Sequence, residues 1–134
     1  MDKAIGAPGR EGFGTVTAYL LVESVAPVLE FLQTAFGARE THRSTGSAGG
    51  LHCEVQIGTS RIMVDGDVPN RQGGGNSLPA MFFLYVADTD AVYQAALSAG
   101  AKSMMEPDER FQEKRGAAVT DPFGNTWFIA TTRD

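Results

Sequence analysis

Two stretches of this chain, on either side of a glycine-rich break, carry the same order of elements. Residues 66–78 (GDVPNRQGGGNSL) form that break. Before it, residues 15–22 are β-branched and apolar enough for a strand. Ser24 is placed to cap a helix, and Pro27 is tolerated in its first turn. Val25, Leu29, Leu32 and Phe36 recur at helical spacing with Glu30 and Gln33 opposite, and Gly37 closes the helix. A polar strand at 39–43, a Ser/Gly turn, an alternating strand at 51–57 and a Gly58-Thr59 hairpin into 61–64 follow. After the break, 80–86 is an aromatic-rich strand. Asp88 caps a helix on which Val92, Ala96 and Ala99 share a face, and Gly100 ends it. A short strand at 101–105, a polar loop at 107–114 and strands at 116–120 and 126–131 complete the second unit. Thus Val22 to Ala38 parallels Val86 to Ala101, and strand–helix–strand–strand–strand is used twice.

The repeat predicts an α+β fold of two βαβββ modules, about 14–66 and 79–132, joined by a linker at 67–78. A loose arm over 1–13 precedes them. The last hairpin is the best-specified turn. Asp121-Pro122 initiates it, Gly124-Asn125 supplies residues that accept positive φ, and Thr126-Trp127-Phe128-Ile129 suits a half-buried strand. Neither glycine-rich stretch reads as a phosphate loop. The arm lacks a preceding strand, and no Gly-Lys-Ser/Thr follows the three linker glycines.

A net charge of -5 with scattered basic residues excludes a nucleic-acid or anionic-membrane partner. The apolar runs are far shorter than the ~20 residues of a membrane helix, and no signal peptide is visible, so the chain reads as cytoplasmic. The single cysteine, Cys53, reads as a small buried hydrophobe.

Several motifs carry a family resemblance over about residues 14–132. They are Tyr19-Leu20-Leu21-Val22, Ala35-Phe36-Gly37-Ala38, His52-x-Glu54 before Ile57-Gly58, and Asp121-Pro122-Phe123-Gly124-Asn125-x-Trp127. Paired βαβββ modules with this closing turn resemble the vicinal oxygen chelate superfamily, which includes glyoxalases, bleomycin-resistance proteins and extradiol dioxygenases. The motifs are most similar to its PhnB-like subgroup. The resemblance implies a curved mixed sheet whose concave face forms a cup, with helices outside, and a homodimer in which cups are completed across two chains. It also implies a divalent metal held by His, Glu or Gln on four strands. Offsets from Val22, Val86 and the Asp121 turn place those positions at Thr17, Phe82 and Phe128, with the fourth at Met63 or Val64. None is an ordinary ligand, so no metal cofactor is expected at the standard site.

The remaining polar candidates are His52 and Glu54, two apart on a strand and therefore on one face. They could bind a polar ligand, act as an acid–base pair, or hold a displaced divalent metal with Asp65. A solvated polar pair or a dimer contact is the alternative. Strand parity puts Tyr19, Phe82, Leu84 and Phe128 with the vacated positions, an aromatic lining suited to a flat small molecule. The same rings could equally pack the cup shut. Arg115 is a candidate for an anionic group on a ligand, or for a structural ion pair. The leading expectation is a small-molecule binding protein without the standard metal. The alternatives are a lyase or dioxygenase-like enzyme with a relocated metal, and a degenerate structural member.

Overall fold

The computed structural model describes residues 4–6, 9–46, 48–69, 78–109 and 113–133. Most of the expected linker, parts of the arm and residues 110–112 lie outside them. The first module comprises β1 (Tyr19–Leu21), α1 (Val25–Phe36), β2 (Arg39–Thr45), β3 (Leu51–Ile57) and β4 (Ser60–Gly66). The second comprises β5 (Met81–Tyr85), α2 (Thr89–Ser98), β6 (Lys102–Asp108), β7 (Arg115–Thr120) and β8 (Thr126–Thr131). Each builds a four-stranded mixed sheet, ordered β1-β4-β3-β2 and β5-β8-β7-β6. In each, the first strand runs parallel to the last and the other pairs are antiparallel. The fold is α+β, as the repeat predicts.

The helix ends show which local signals acted. Gly37 takes φ 69°, the left-handed conformation that glycine adopts without steric cost, and its N–H bonds Gln33 O. Asp88 caps α2 through its side chain, accepting from Ala91 N at 3.1 Å. Ser24 holds the N-cap position of α1 without a side-chain hydrogen bond. Asp67 caps that helix from across the module, its Oδ2 accepting from Val25 N at 3.0 Å. The first strand is shorter than expected, so Thr17 precedes it. The sixth runs on to Asp108 through a segment expected to be a loop, with two register shifts on the way.

One apolar core spans both modules. Val25, Leu29 and Leu32 of α1 are buried as its periodicity predicts, but so are Val28, Phe31 and Ala35. The extra face meets the second module: Phe31 lies edge-on to Phe123 at 6.2 Å, and Phe36 sits 4.6 Å from Trp127. Cys53, Val55, Ile62 and Val64 put the inner face of the first sheet into this core, and Ala117, Val119, Trp127 and Ile129 do so for the second. The opposite face of each sheet is left to the functional site.

Candidate functional site

Pairing decides which residues share the outer face of the first sheet. Tyr19 lies opposite Met63 and Leu21 opposite Asp65; His52 pairs with Asp65, and Glu54 with Met63 and His42. Successive strand residues alternate faces, so Tyr19, His42, His52, Glu54, Met63 and Asp65 project together. Between the two residues left open for the fourth superfamily position, Met63 is the one on this face. Val64 is fully buried beneath α1.

The polar side chains form one continuous chain of hydrogen bonds. Tyr19 Oη donates to Asp65 Oδ2 at 2.5 Å. His52 Nδ1 lies 2.5 Å from Asp65 Oδ1, and Nε2 lies 2.8 Å from Glu54 Oε2. Arg10, from the N-terminal arm, donates to that same Oε2. Both imidazole nitrogens therefore face carboxylate oxygens, and only the imidazolium can donate to both. His52 accordingly titrates above its ordinary value of 6.5, because Glu54 accepts from the charged ring; burial opposes this and Asp65 reinforces it. Burial pushes the Glu54 carboxyl up, but hydrogen bonds from His52 and Arg10 outweigh it, and the net shift is below 4.5. The hydrogen bond to Asp65 drives the Tyr19 phenol up to about 12.

These shifts set a pH window for stability. A raised folded-state value for His52 contributes stability in full below 6.5, lost as pH rises through the folded value. A depressed value for Glu54 contributes above 4.5, lost as pH falls through the folded value. Stability from the cluster is thus greatest between those two limits. Urea melts at pH 5.5, 7 and 8.5 should show an alkaline decline in the native protein that His52→Gln abolishes. An equal decline in both would remove the imidazolium as its cause.

The fit of a metal is a question of donor direction. His52 is a bridge, with Asp65 on one ring nitrogen and Glu54 on the other, so the three side chains do not converge on a common point. Among the described residues, no group of three or more His, Cys, Asp or Glu is arranged to hold a metal ion. At the superfamily positions, Thr17, Met63, Phe128 and the fourth, expected at Phe82 and given by the repeat as Met81, offer no imidazole or carboxylate. The residues present do not fit the metal the fold family implies.

The second sheet corrects two expected placements. Phe82 pairs with Trp127 and stacks on it at 4.3 Å, and Leu84 pairs with Ile129. Both turn toward the helices, not the outer face. The outer face carries Met81, Phe83, Tyr85 and Phe128, with Phe83 stacked on Phe128 at 5.9 Å and tilted against Tyr85 at 5.1 Å. Equating Val22 with Val86 aligns Thr17 with Met81 and Tyr19 with Phe83. Applied with the same offset in both modules, the repeat would have located these residues. Met81, Phe83 and Tyr85 are 69%, 54% and 61% exposed. A cavity of about 350 Å³ adjoins the last two, where Phe83, Leu84 and Tyr85 meet Phe36, Val92 and the Gly58-Thr59 turn.

Arg115 lies with the helix-facing set of β7 and makes a bidentate pair with Asp90 at 2.9 and 3.0 Å. Burial raises the Cys53 thiol, consistent with an inert core residue. No helix among the described residues is long and apolar enough to cross a membrane.

Comparison with known proteins agrees with this architecture. Residues 12–129 match the Glyoxalase/Bleomycin resistance protein/Dioxygenase superfamily. A Mycobacterium bovis protein, Mb0911c, is 32% identical over 122 residues, covering 85% of this chain and 80% of its own length. The X-ray structure of an Arabidopsis thaliana gene product superposes with a TM-score of 0.65 at 29% identity, covering 88% of this chain and 98% of that one. A Bacillus cereus protein described as a putative 3-demethylubiquinone-9 3-methyltransferase, PhnB protein, gives 0.61 at 15% identity, over 87% and 98% of the two chains, and at that identity shares the fold alone. With its two βαβββ modules and a sequence match over nearly its whole length, the chain belongs to the Glyoxalase/Bleomycin resistance protein/Dioxygenase superfamily.

Proposed function

We propose that this protein is a cytoplasmic, PhnB-like small-molecule binder that takes an aromatic or hydrophobic compound against the outer sheet faces, without a metal at the superfamily position. The observation that carries this reading is the row Met81, Phe83 and Tyr85, more than half exposed, beside Phe128. A soluble chain leaves large contiguous apolar surface in water only where something covers it. Two surfaces of complementary kind are offered: stacking rings on the second sheet, and a charged hydrogen-bond network on the first. A homodimer is part of the proposal, because a second copy would bring the polar face of one chain to the aromatic face of the other.

The relocated-metal enzyme is the weaker reading, since His52 already spends both nitrogens on carboxylates. The filled-cup reading requires something outside the described residues of one chain to cover Phe83 and Tyr85, which are more than half exposed there.

Light scattering should give twice the mass of one chain, and the neutral fluorescent probe N-phenyl-1-naphthylamine should bind saturably. Chelator should leave that binding unchanged. A divalent ion that raises Tm by several degrees in the native protein but not in His52→Ala would replace this reading with the metal one.

A further inference from the structure

Residues 10–13 of the N-terminal arm lie on the first sheet's outer face, against Glu54 and Arg61. Arg10 reaches Glu54, which is 2% exposed, while its own side chain is 60% exposed. Its guanidinium lies 4.9 Å from the Phe13 ring centroid, and Arg61 approaches the same ring at 5.6 Å. Arg61 also donates to Glu11 O at 3.0 Å. Gly12 takes φ 89°, the left-handed region that favours glycine, where the arm passes the Arg61 guanidinium. Yet no residue of 9–14 enters the buried core or a strand ladder. Among the described residues, 9–14 meet the sheet through a cation on a buried carboxylate, a side-chain-to-backbone hydrogen bond and ring contacts, at the sheet's open side.

We infer that Arg10 stands where the cationic group of a ligand binds, so that residues 9–14 are a tethered competitor displaced when the ligand arrives. The recognised class is a small aromatic molecule bearing an amidinium, guanidinium or ammonium group. Glu54 takes the cation by a charge-assisted hydrogen bond, and the Tyr19, His42 and His52 rings that share its sheet face take the flat body. With Arg10 displaced, the single charge of His52 is shared between two carboxylates, Glu54 and Asp65, so an added cation is accommodated. His42, 6.1 Å from the His52 ring, Tyr19 and Arg61 complete the polar surroundings. The inference rests on the proposed small-molecule site and narrows its ligand.

The test uses full-length protein, benzamidine as the cationic probe, benzamide as its neutral counterpart, and N-phenyl-1-naphthylamine as the reporter of the aromatic face. Arg10→Ala is expected to bind benzamidine about tenfold tighter than the native protein, because a competitor occupying the site about nine-tenths of the time costs that factor. Benzamide affinity should not change. In the native protein, benzamidine should speed amide exchange across residues 9–14. Glu54→Gln should erase the preference for benzamidine over benzamide; should that variant fail to fold, the Arg10→Ala comparison decides alone. Equal benzamidine affinity in native and Arg10→Ala protein, with the fluorescent probe still binding, overturns the tethered competitor and leaves the aromatic site standing. Loss of all probe binding in both proteins overturns the two together.

Discussion

Replacing Asp121 with alanine should cost this protein about 3–5 kcal/mol, enough to leave a domain of ordinary stability marginal. Asp121 is 5% exposed and organises the whole closing turn. Its Oδ1 accepts from Phe123 N and Asn125 N at 2.9 Å each. Its Oδ2 accepts from Asn125 Nδ2 at 3.0 Å and from the Trp127 indole Nε1 at 2.9 Å. The alanine variant removes the acceptor and strands four donors, two of them on side chains that are themselves buried. A buried donor left without a partner costs about 1–3 kcal/mol, while the hydrogen bond itself is worth less. Asn125 adds a second consequence, since its Oδ1 accepts from Ala80 N at 2.9 Å and so fixes the start of β5. Urea denaturation with the indole fluorescence of Trp127 as probe measures the loss. A change below about 1 kcal/mol would mean that water or a shifted turn satisfies these donors, against the geometry above.

Two adjacent phenylalanines should fail in opposite ways. Phe82→Ala is expected to lose about 3 kcal/mol of stability, within the usual cost of truncating a packed ring. It stacks on Trp127 at 4.3 Å and packs against the common core. Phe83→Ala should change stability little, because that ring is 54% exposed, yet it should weaken N-phenyl-1-naphthylamine binding by tenfold or more, or about 1.4 kcal/mol. Ring stacking of this kind contributes on the order of 1 kcal/mol per contact beyond area burial. Paired denaturation and fluorescence titrations read both effects on the same preparations. If Phe82→Ala abolished probe binding while remaining fully stable, β5 would pair with β8 one residue away from the Phe82–Trp127 register.

Those two variants mark the boundary between sequence and structure. The repeat, the helix ends at Gly37 and Asp88 and the final turn were legible because each is set by local chemistry. Periodicity, capping and the left-handed preference of glycine act within a few residues. Gly124 takes φ 94° as its place in the turn predicts. His52 and Glu54 could likewise be assigned to one face, because alternation along a single strand needs no partner.

What lay beyond the sequence is everything that depends on a second segment. The face of Phe82 follows from its register against Trp127, and a one-residue slip exchanges the whole strand's inside and outside. The cap of α1 comes from Asp67, 42 residues from the N–H it accepts. Asp65 and Tyr19 turn the His52–Glu54 pair into a network only because β1 and β3 flank β4, and Arg10 joins it from an arm whose composition signals nothing but looseness. Local propensity thus determined the elements and their order. Tertiary pairing alone decided which charges meet, because long-range register is fixed by burying one face of each sheet against the shared core.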